Sequence, residues 1–401
     1  MRTSWTCLAL SLSLAVVACK QDPSTEVVVE QESDAAKDAV SETGDAGEWD
    51  GDESDATDEA RESSATSPEP VTVGLEPTAR SEQDGGTASS AQLDAVLLSM
   101  ATGARGLTAT SRWAELEGDG TSDGWKKLES LTSLVRSQKR MLLLTIPVVD
   151  ATLDGRPGPL QATGWDAEAT RLSIRALIDR LFSKVGPELR YLSLGLEVDR
   201  FVQANAGQRE AFLTFATQTV QYANTHINRP QSMQAAVTWS HKAWLAADTP
   251  ASWAPELLDQ SDIVMIAYTP MGDDLRARAA DSVHGDLPTM LAAAGDRPLV
   301  FASVSYPSSL LIGGSDDAQA HFFDLLFLEV EMRRARLPFV AVSSLHDPEP
   351  ESCLGRAAAM GQPGSAELYA YWCSTGLRTR DGVAKKAFDS FRSGAAELLE
   401  P

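Results

Sequence analysis

The stretch Tyr191-Leu-Ser-Leu-Gly-Leu-Glu-Val-Asp199 has the pattern of a buried strand that ends on a carboxylate. Continuous apolar runs are typical of parallel strands that helices cover on both faces. Glu197 follows the run directly, at the place where (β/α)8 barrels carry their functional residues. The stretch therefore predicts one barrel strand with an acid at its carboxyl end.

Similar runs recur along the chain with helical patterns between them. The apolar, β-branched runs cover residues 71–75, 106–111, 141–146, 191–195, 233–238, 263–267, 299–302 and 339–343. The helical patterns cover residues 91–101, 124–137, 167–184, 208–225, 255–260, 282–294, 316–336 and 382–399. Eight alternating pairs predict an α/β fold, a single (β/α)8 TIM barrel over residues 71–401. A doubly wound sheet is the rival fold, but its glycine-rich first turn before a helix is missing from the sequence.

One of these helical patterns also predicts which side chains face the core. Within residues 167–184, apolar side chains recur at a spacing of three or four residues, which predicts one buried face. Its members are Leu172, Ala176, Leu177, Leu181 and Phe182.

The amino terminus predicts export. Residues 1–18 have one early basic residue, Arg2, and an apolar run from Cys7 to Val17, which is typical of a signal peptide and too short for a membrane span. The tetrapeptide Val16-Val-Ala-Cys19 resembles a bacterial lipobox, which implies acylation of Cys19 and anchoring in a membrane. Because Lys20 follows the cysteine, the outer membrane is the expected destination. An ordinary cleaved secretion signal is the alternative.

Residues 19–70 differ sharply from the rest of the chain. From Lys20 to Pro70 there are 17 acidic and three basic residues, and few apolar ones. Such a segment repels itself and cannot form a core, so it predicts a disordered acidic tether. With a net charge of -23 for the whole chain, nucleic acid is not an expected partner.

Cysteine and histidine usage argues for a disulfide and against a metal. Two cysteines, Cys353 and Cys373, fall within the predicted barrel, and in an oxidising compartment they are most simply bonded to each other. The five histidines are scattered and show no His-x-His spacing. We therefore expect no metal and no cofactor.

Polar and aromatic residues follow the predicted strands, on the face where barrels bind ligands. Aromatic rings stack on sugar faces and carboxylates bond to hydroxyls, so this set favours an oligo- or polysaccharide. The residues are Trp113, Asp150, Glu197, Asp199, Trp239, His241, Tyr268, Ser303, Tyr306, His346 and Asp347, joined by Glu76 after the first strand and by Trp372 from the cysteine loop.

Several of these segments resemble one large clan of retaining glycoside hydrolases with (β/α)8 barrels, including galactanase-like and cellulase-like members. Leu194-Gly-Leu-Glu-Val-Asp199 is similar to the clan's fourth-strand Gly-Asn-Glu-Val. The other matching segments are Trp113-Ala-Glu-Leu-Glu117, Ile266-Ala-Tyr-Thr-Pro270, Ser305-Tyr-Pro-Ser308 and the closing 376–388. The resemblance spans the whole predicted barrel.

The resemblance implies roles, and the sequence departs from it at two of them. Glu197 stands where the clan keeps its general acid/base, but Leu196 replaces the Asn before it. Ser303 stands where the clan keeps its nucleophile. Retaining hydrolysis uses two carboxyl groups about 5 Å apart, and the sequence offers one. Two structural alternatives stay open: Glu197 as a buried carboxylate paired with an Arg, and Asp347 as the start of a turn.

Together these features predict a monomeric, surface-anchored lipoprotein whose barrel binds carbohydrate and has lost retaining catalysis. The enzymatic alternative is an active glycosidase that uses Glu197 as general acid/base with a non-standard second carboxylate, Asp347 or Asp199. A third alternative is a non-catalytic envelope interaction protein.

Overall fold

The computed structural model describes residues 70–79, 88–118 and 120–399, with positions 88–90 described by their backbone alone. The predicted signal peptide, Cys19 and almost all of the acidic tether lie outside the described residues. None of the described helices is long and apolar enough to cross a membrane.

The described strands form one nearly closed barrel. The strands are β1 (Thr72–Leu75), β2 (Gly106–Thr110), β3 (Met141–Asp150), β4 (Leu153–Asp154), β5 (Leu189–Leu196), β6 (Gln234–Ala236), β7 (Thr238–Ser240), β8 (Val264–Tyr268), β9 (Leu299–Val304) and β10 (Phe339–Val342). Their order in the sheet is β6-β5-β3-β2-β1-β10-β9-β8-β7, and every pair along this path is parallel. The strands β6 and β7 at the two ends of the path are separated only by Val237, so they share one of eight barrel positions. The predicted barrel is confirmed.

The barrel interior is filled by side chains from strands on opposite sides. Phe339 and Tyr191 meet there with their ring centroids 5.1 Å apart. A Cβ atom on Gly74 or on Gly106 would lie 2.7 Å from the Phe339 ring. These two positions therefore need glycine, because no real Cβ packs so closely against another atom.

Helices cover the outside of the barrel, and the eight predicted ones are all present. They are α1 (Ala88–Ala101), α2 (Asp123–Ser137), α4 (Glu168–Lys184), α6 (Arg209–Thr225), α9 (Pro255–Leu258), α10 (Val283–Ala293), α11 (Asp316–Met332) and α14 (Lys386–Glu397). Six short helices lie in loops where the sequence shows no helical pattern. These are α3 (Gly158–Gln161), α5 (Val198–Ala204), α7 (His241–Leu245), α8 (Pro250–Trp253), α12 (Pro350–Ala359) and α13 (Ala366–Trp372).

The prediction of which side chains of α4 are buried was partly wrong. Its buried apolar residues include Ile174, Leu177 and Leu181, whereas Leu172 is 57% exposed and Ala176 is also exposed. Leu172 and Ala176 lie four residues apart and so share a face with each other. That face is the outer one, because each of them is two residues, or about 200°, from Ile174.

The loops at the carboxyl end of the barrel form a second, smaller apolar cluster. We call residues 350–373 the cap segment; it comprises α12, α13 and their connection. The predicted disulfide is confirmed, since Cys353 and Cys373 are bonded across a Cα–Cα distance of 5.5 Å. The apolar side chains of the cap segment pack with Met271 and Ile312 from the loops after β8 and β9. The cap is therefore an internally cross-linked unit on the face where barrel sites form.

Candidate functional site

Glu197 ends the fourth barrel strand in a strained conformation. Its backbone has φ 49° and ψ 51°, in the left-handed region. That conformation costs a residue with a Cβ roughly 1–2 kcal/mol. The turn leads from β5 into α5 and leaves the Glu197 side chain at the carboxyl end of the barrel, with 4% of the residue exposed. Observed strain of this kind is concentrated at functional sites.

The environment of Glu197 favours its protonated form. Burial raises the pKa of Glu197, and the neighbouring carboxylates of Asp199 and Asp150 act in the same direction. Arg200 opposes them, with its Nε atom 2.5 Å from Glu197 Oε2. Neither atom has a well-aligned hydrogen-bond partner among the described residues. A raised pKa is what a general acid needs. The ion pair with Arg200 equally fits the structural alternative left open by the sequence, a buried carboxylate paired with an Arg.

Ser303 lies at the mouth of the barrel, on the strand predicted to carry a nucleophile. Ser303 pairs with Ala267 of β8, just after an irregularity in the register of the two strands. The residue is partly exposed. No carboxylate occupies this strand end, since the flanking residues are Ala302 and Val304.

Asp199 and Asp347, the suggested replacement carboxylates, are both bound to other groups. Asp199 accepts hydrogen bonds from the backbone N–H of Ser240 at 2.7 Å and from its hydroxyl at 2.6 Å. Asp347 pairs with Lys385 at 2.6 Å and accepts a hydrogen bond from the Gly376 N–H at 2.9 Å. These contacts join neighbouring loops, so in this conformation neither carboxylate is free to act on a substrate.

Asp150 is the carboxylate that shares a cavity with Glu197. The cavity also contains Ala151 and is covered by residues of the cap segment, among them Arg356 and Trp372. Arg356 Nη1 lies 3.3 Å from Asp150 Oδ1, and the guanidinium stacks on the Trp372 ring at 4.8 Å from its centroid. The volume open to water is about 10 Å³. That is room for about one water molecule.

Glu76 is a third carboxylate whose pKa responds to the charge of Arg356. It follows β1 directly and is partly exposed. Burial raises the pKa of Glu76 to about 7, and the charge of Arg356 opposes the shift. Three barrel strands thus each contribute one carboxylate whose environment includes the same guanidinium: Glu76, Asp150 and Glu197.

The two tyrosines predicted to contact a saccharide, Tyr268 and Tyr306, are buried. The Tyr268 hydroxyl donates to Asp286 at 3.0 Å, and Asp286 also accepts two hydrogen bonds from Arg278. The Tyr306 hydroxyl donates to the backbone carbonyl of Arg278 at 2.7 Å. Both hydroxyls are therefore engaged with protein groups, and their role toward a sugar stays a prediction.

The predicted tryptophans divide between the core and the cavity. Trp113 is buried against Phe215, and Trp239 packs edge-to-face against Trp253. Trp372 is also buried, but it lines the cavity beside Glu197. Of these three rings, the structure brings Trp372 alone to the carboxylates.

The two predicted histidines have different surroundings. His346 is held through its Nδ1 atom by the carbonyl of Thr78 at 2.7 Å, which joins the loops after β1 and β10. His241 is buried against Tyr268, and burial together with nearby cations lowers its pKa to about 3. His241 is therefore a neutral imidazole. Within the described residues, no group of three or more His, Cys, Asp or Glu side chains could hold a metal ion.

Sequence reasoning did not identify the two arginines that pair with Glu197 and Asp150, Arg200 and Arg356. Arg200 could have been found, because it lies one helical turn after Glu197 and such i,i+3 positions face each other. Arg356 lies more than 150 residues from Glu197 in sequence, on α12 and outside any motif. No pattern in the sequence pointed to it.

Comparison with solved structures shows the fold. A GH5_18 protein from Bifidobacterium longum subsp. longum, solved in complex with Manβ1-4GlcNAc, matches with a TM-score of 0.58 and 15% identity, over 82% of this chain and 78% of that one. The exo-β-1,4-mannosidase Op5Man5 from Opitutaceae bacterium strain TAV5 matches with a TM-score of 0.62 and 13% identity, over 84% of this chain and 61% of that one.

A third match is a family 39 glycoside hydrolase from Bacteroides cellulosilyticus WH2, with a TM-score of 0.57 and 12% identity, over 82% of this chain and 64% of that one. No protein family and no curated protein matches the chain by sequence. The fold is thus that of glycoside hydrolases, as the sequence resemblance implied.

Proposed function

We propose that this glycoside-hydrolase-like barrel belongs to a surface-anchored lipoprotein that binds carbohydrate and no longer carries out retaining hydrolysis. The observation that carries the proposal is the asymmetry of the site. The acid Glu197 is retained on a strained strand end with a raised pKa, whereas Ser303 stands at the strand end of the missing nucleophile. Retaining hydrolysis requires both carboxyl groups.

A serine at position 303 does not replace the missing group. A serine hydroxyl becomes a useful nucleophile only beside a general base. Its strand neighbours supply none, and Glu197 is paired with Arg200. The position of the saccharide is expected above Glu197 at the carboxyl end of the barrel, where Trp372 offers a ring face and Asp150 a hydrogen-bond acceptor.

Binding is tested with an oligosaccharide array that includes Manβ1-4GlcNAc, the ligand of one structural neighbour. The full chain and its Arg356→Ala variant are applied in parallel, because Arg356 covers the site. We expect binding of a defined saccharide set that Glu197→Gln weakens by about tenfold, roughly the net value of one hydrogen bond. Absence of binding by both proteins would reject the carbohydrate function and favour an envelope interaction protein.

An active glycosidase is the second candidate, and the shared cavity favours Asp150 as its second carboxylate. An inverting enzyme needs a general acid and a general base about 6.5–9.5 Å apart, with a water between them. Glu197 and Asp150 line one water-sized cavity. If this candidate is right, the wild type hydrolyses an activated aryl glycoside and both Glu197→Gln and Asp150→Asn abolish the activity. The proposed loss of catalysis predicts no hydrolysis by any of the three proteins.

A further inference from the structure

The cavity beside Glu197 is too small for the function proposed above. Ligand pockets are usually about 300–1,000 Å³, whereas this space holds about one water. The cover comes from one part of the chain, since Arg356, Met360 and Trp372 all belong to the cap segment. What closes the barrel mouth is therefore the cap and not the barrel strands.

The cap segment has the construction of a unit that can move as a whole. Its helices α12 and α13 are linked by the Cys353–Cys373 disulfide and share an apolar cluster, to which Met271 and Ile312 of the barrel loops also belong. Tyr371 is fully buried within this cluster. The disulfide therefore holds the two helices together when the contacts around the cavity break, while the Tyr371 hydroxyl, which donates to the Ser305 carbonyl at 3.3 Å, keeps one point of the cap on the barrel.

The contacts between the cap and the barrel mouth around the cavity are polar, whereas the cap packs on Met271 and Ile312 through its apolar cluster. Arg356 pairs with Asp150, and the backbone of Ala359 accepts hydrogen bonds from the N–H and hydroxyl of Thr152 at 2.8 and 2.7 Å. The Arg356 and Asp150 side chains are 34% and 31% exposed. A pair exposed to this degree contributes little, so the contact can break and re-form.

Two buried polar atoms that belong to cavity residues have no aligned hydrogen-bond partner in the described part of the chain. They are Glu197 Oε2, which has its ion pair with Arg200, and the donor Trp372 Nε1. Buried polar groups normally have a hydrogen-bond partner, and each exception requires an explanation. A hydroxylated ligand between the cap and the barrel would satisfy both atoms.

We propose that the cap segment is a lid, that Arg356 occupies the ligand position above Glu197, and that saccharide binding requires the lid to lift. This inference rests on the proposed carbohydrate function for the identity of the ligand. The closure itself is independent of the ligand, because it depends only on the contacts between the cap and the barrel. Arg356 is thus a gating residue of the site and not a catalytic one.

The closure is tested without any saccharide, by labelling carboxyl groups of the full chain with a water-soluble carbodiimide and an amine. In the wild type Glu197 is covered and labels slowly. In Arg356→Ala we expect the labelling rate of Glu197 to rise about fivefold or more, because the variant loses the side chain that covers the cavity and its ion pair with Asp150. Millimolar guanidinium, added to the variant, should slow the labelling again by refilling the vacated position.

Arg380→Ala is the matched control. Arg380 lies 3.7 Å from Glu349 and donates to the Pro348 carbonyl at the foot of the cap, but it does not line the cavity. Its loss should leave the labelling of Glu197 at the wild-type rate. If Arg356→Ala fails to fold, as judged by its circular dichroism, Met360→Ala opens the cavity from the apolar side and should give the same rise.

Equal labelling rates of Glu197 in the wild type, Arg356→Ala and Met360→Ala would contradict the proposal that the cap is a lid. The array experiment separates this failure from that of the proposed function. If the lid opens and neither protein binds a saccharide, the carbohydrate function fails and the lid stands. If the wild type binds as tightly as Arg356→Ala while Glu197 stays unlabelled in both, the function stands and the lid is rejected.

Discussion

At the scale of single residues, the sequence predicted the position of Glu197 at a strand end but not the arginines that surround it. The rule that barrel strands present functional side chains at their carboxyl ends identified Glu197, Ser303 and Asp150. Arg356 could not be predicted, because a contact between sequence-distant loops depends on how the cap packs. The position of Trp372 beside Glu197 depends on the same packing.

Glu76 provides a test of the electrostatics at the barrel mouth. Its pKa is about 7 in the folded protein, against a usual value of 4.5. Between pH 4.5 and pH 7, Glu76 is protonated in the folded state and charged in the unfolded state, so the free energy of unfolding falls as the pH rises through this range. Above pH 7 the charged Glu76 lowers the free energy of unfolding by about 1 to 3 kcal/mol.

Glu76→Gln removes this cost. In urea unfolding we expect the variant to gain about 1 to 3 kcal/mol over the wild type at pH 8, and much less at pH 4. Glu351→Gln, at an exposed position of α12, is the control and should show no such difference. An equal effect of Glu76→Gln at both pH values would contradict the raised pKa.

At the scale of elements, the buried strands and the helices that cover the barrel were predictable, and the helices within loops were not. The run from Leu299 to Ala302 indicates a strand because it is apolar throughout and ends at polar and turn-forming residues. Helices of four to seven residues, such as α5 and α7, contain too few turns for a periodic pattern. They depend on tertiary contacts, because short helices are not stable by themselves.

The contact between α11 and α14 depends on one glycine. A Cβ atom at Gly394 of α14 would overlap the Phe327 ring of α11. Gly394→Ala should therefore lower the free energy of unfolding by about 1–3 kcal/mol through overpacking. Gly285→Ala in α10 is the control, since its Cβ would meet nothing within 4 Å.

In the control, alanine should raise the free energy of unfolding by about 0.5–1 kcal/mol, through helix propensity alone. Chemical denaturation of both variants measures the difference. If Gly394→Ala had the same free energy of unfolding as Gly285→Ala, the close approach of α14 to Phe327 of α11 would be contradicted.

The disulfide is expected to stabilise the cap more than the barrel. Cys353 and Cys373 close a loop with a sequence separation of 20 residues. On the chain-entropy model, such a loop is worth about 3 kcal/mol. In the Cys353→Ser/Cys373→Ser double variant, hydrogen exchange should accelerate first in residues 350–373 and leave the barrel strands protected. Uniform acceleration across the barrel would show that the cap is not a separate unit.

At the scale of the whole molecule, the chain divides into an acidic segment and a barrel with different expected tasks. Residues 20–70 carry 17 acidic side chains and too few apolar ones to form a core. We propose that they act as a flexible spacer between a lipid on Cys19 and the barrel. All the described strands and helices follow residue 70.

Deletion of residues 20–70 should therefore leave the thermal midpoint of the barrel unchanged to within about 2 °C, the shift expected for less than 1 kcal/mol in a domain of this size. Differential scanning calorimetry measures the midpoint. Cys19→Ser should move the protein out of the membrane fraction. A fall of many degrees in the midpoint would mean that the acidic segment packs on the barrel.

The central claim is that a glycosidase-type site has kept its acid and lost its nucleophile. Its most direct test is the rate of hydrolysis of activated aryl glycosides by Ser303→Glu in the Arg356→Ala background, with Glu197→Gln added as the control. We predict no turnover by Arg356→Ala alone, measurable turnover when Ser303→Glu restores the second carboxyl group, and its loss with Glu197→Gln. Turnover by Arg356→Ala alone, or turnover by the Ser303→Glu variant that survives Glu197→Gln, would contradict the claim.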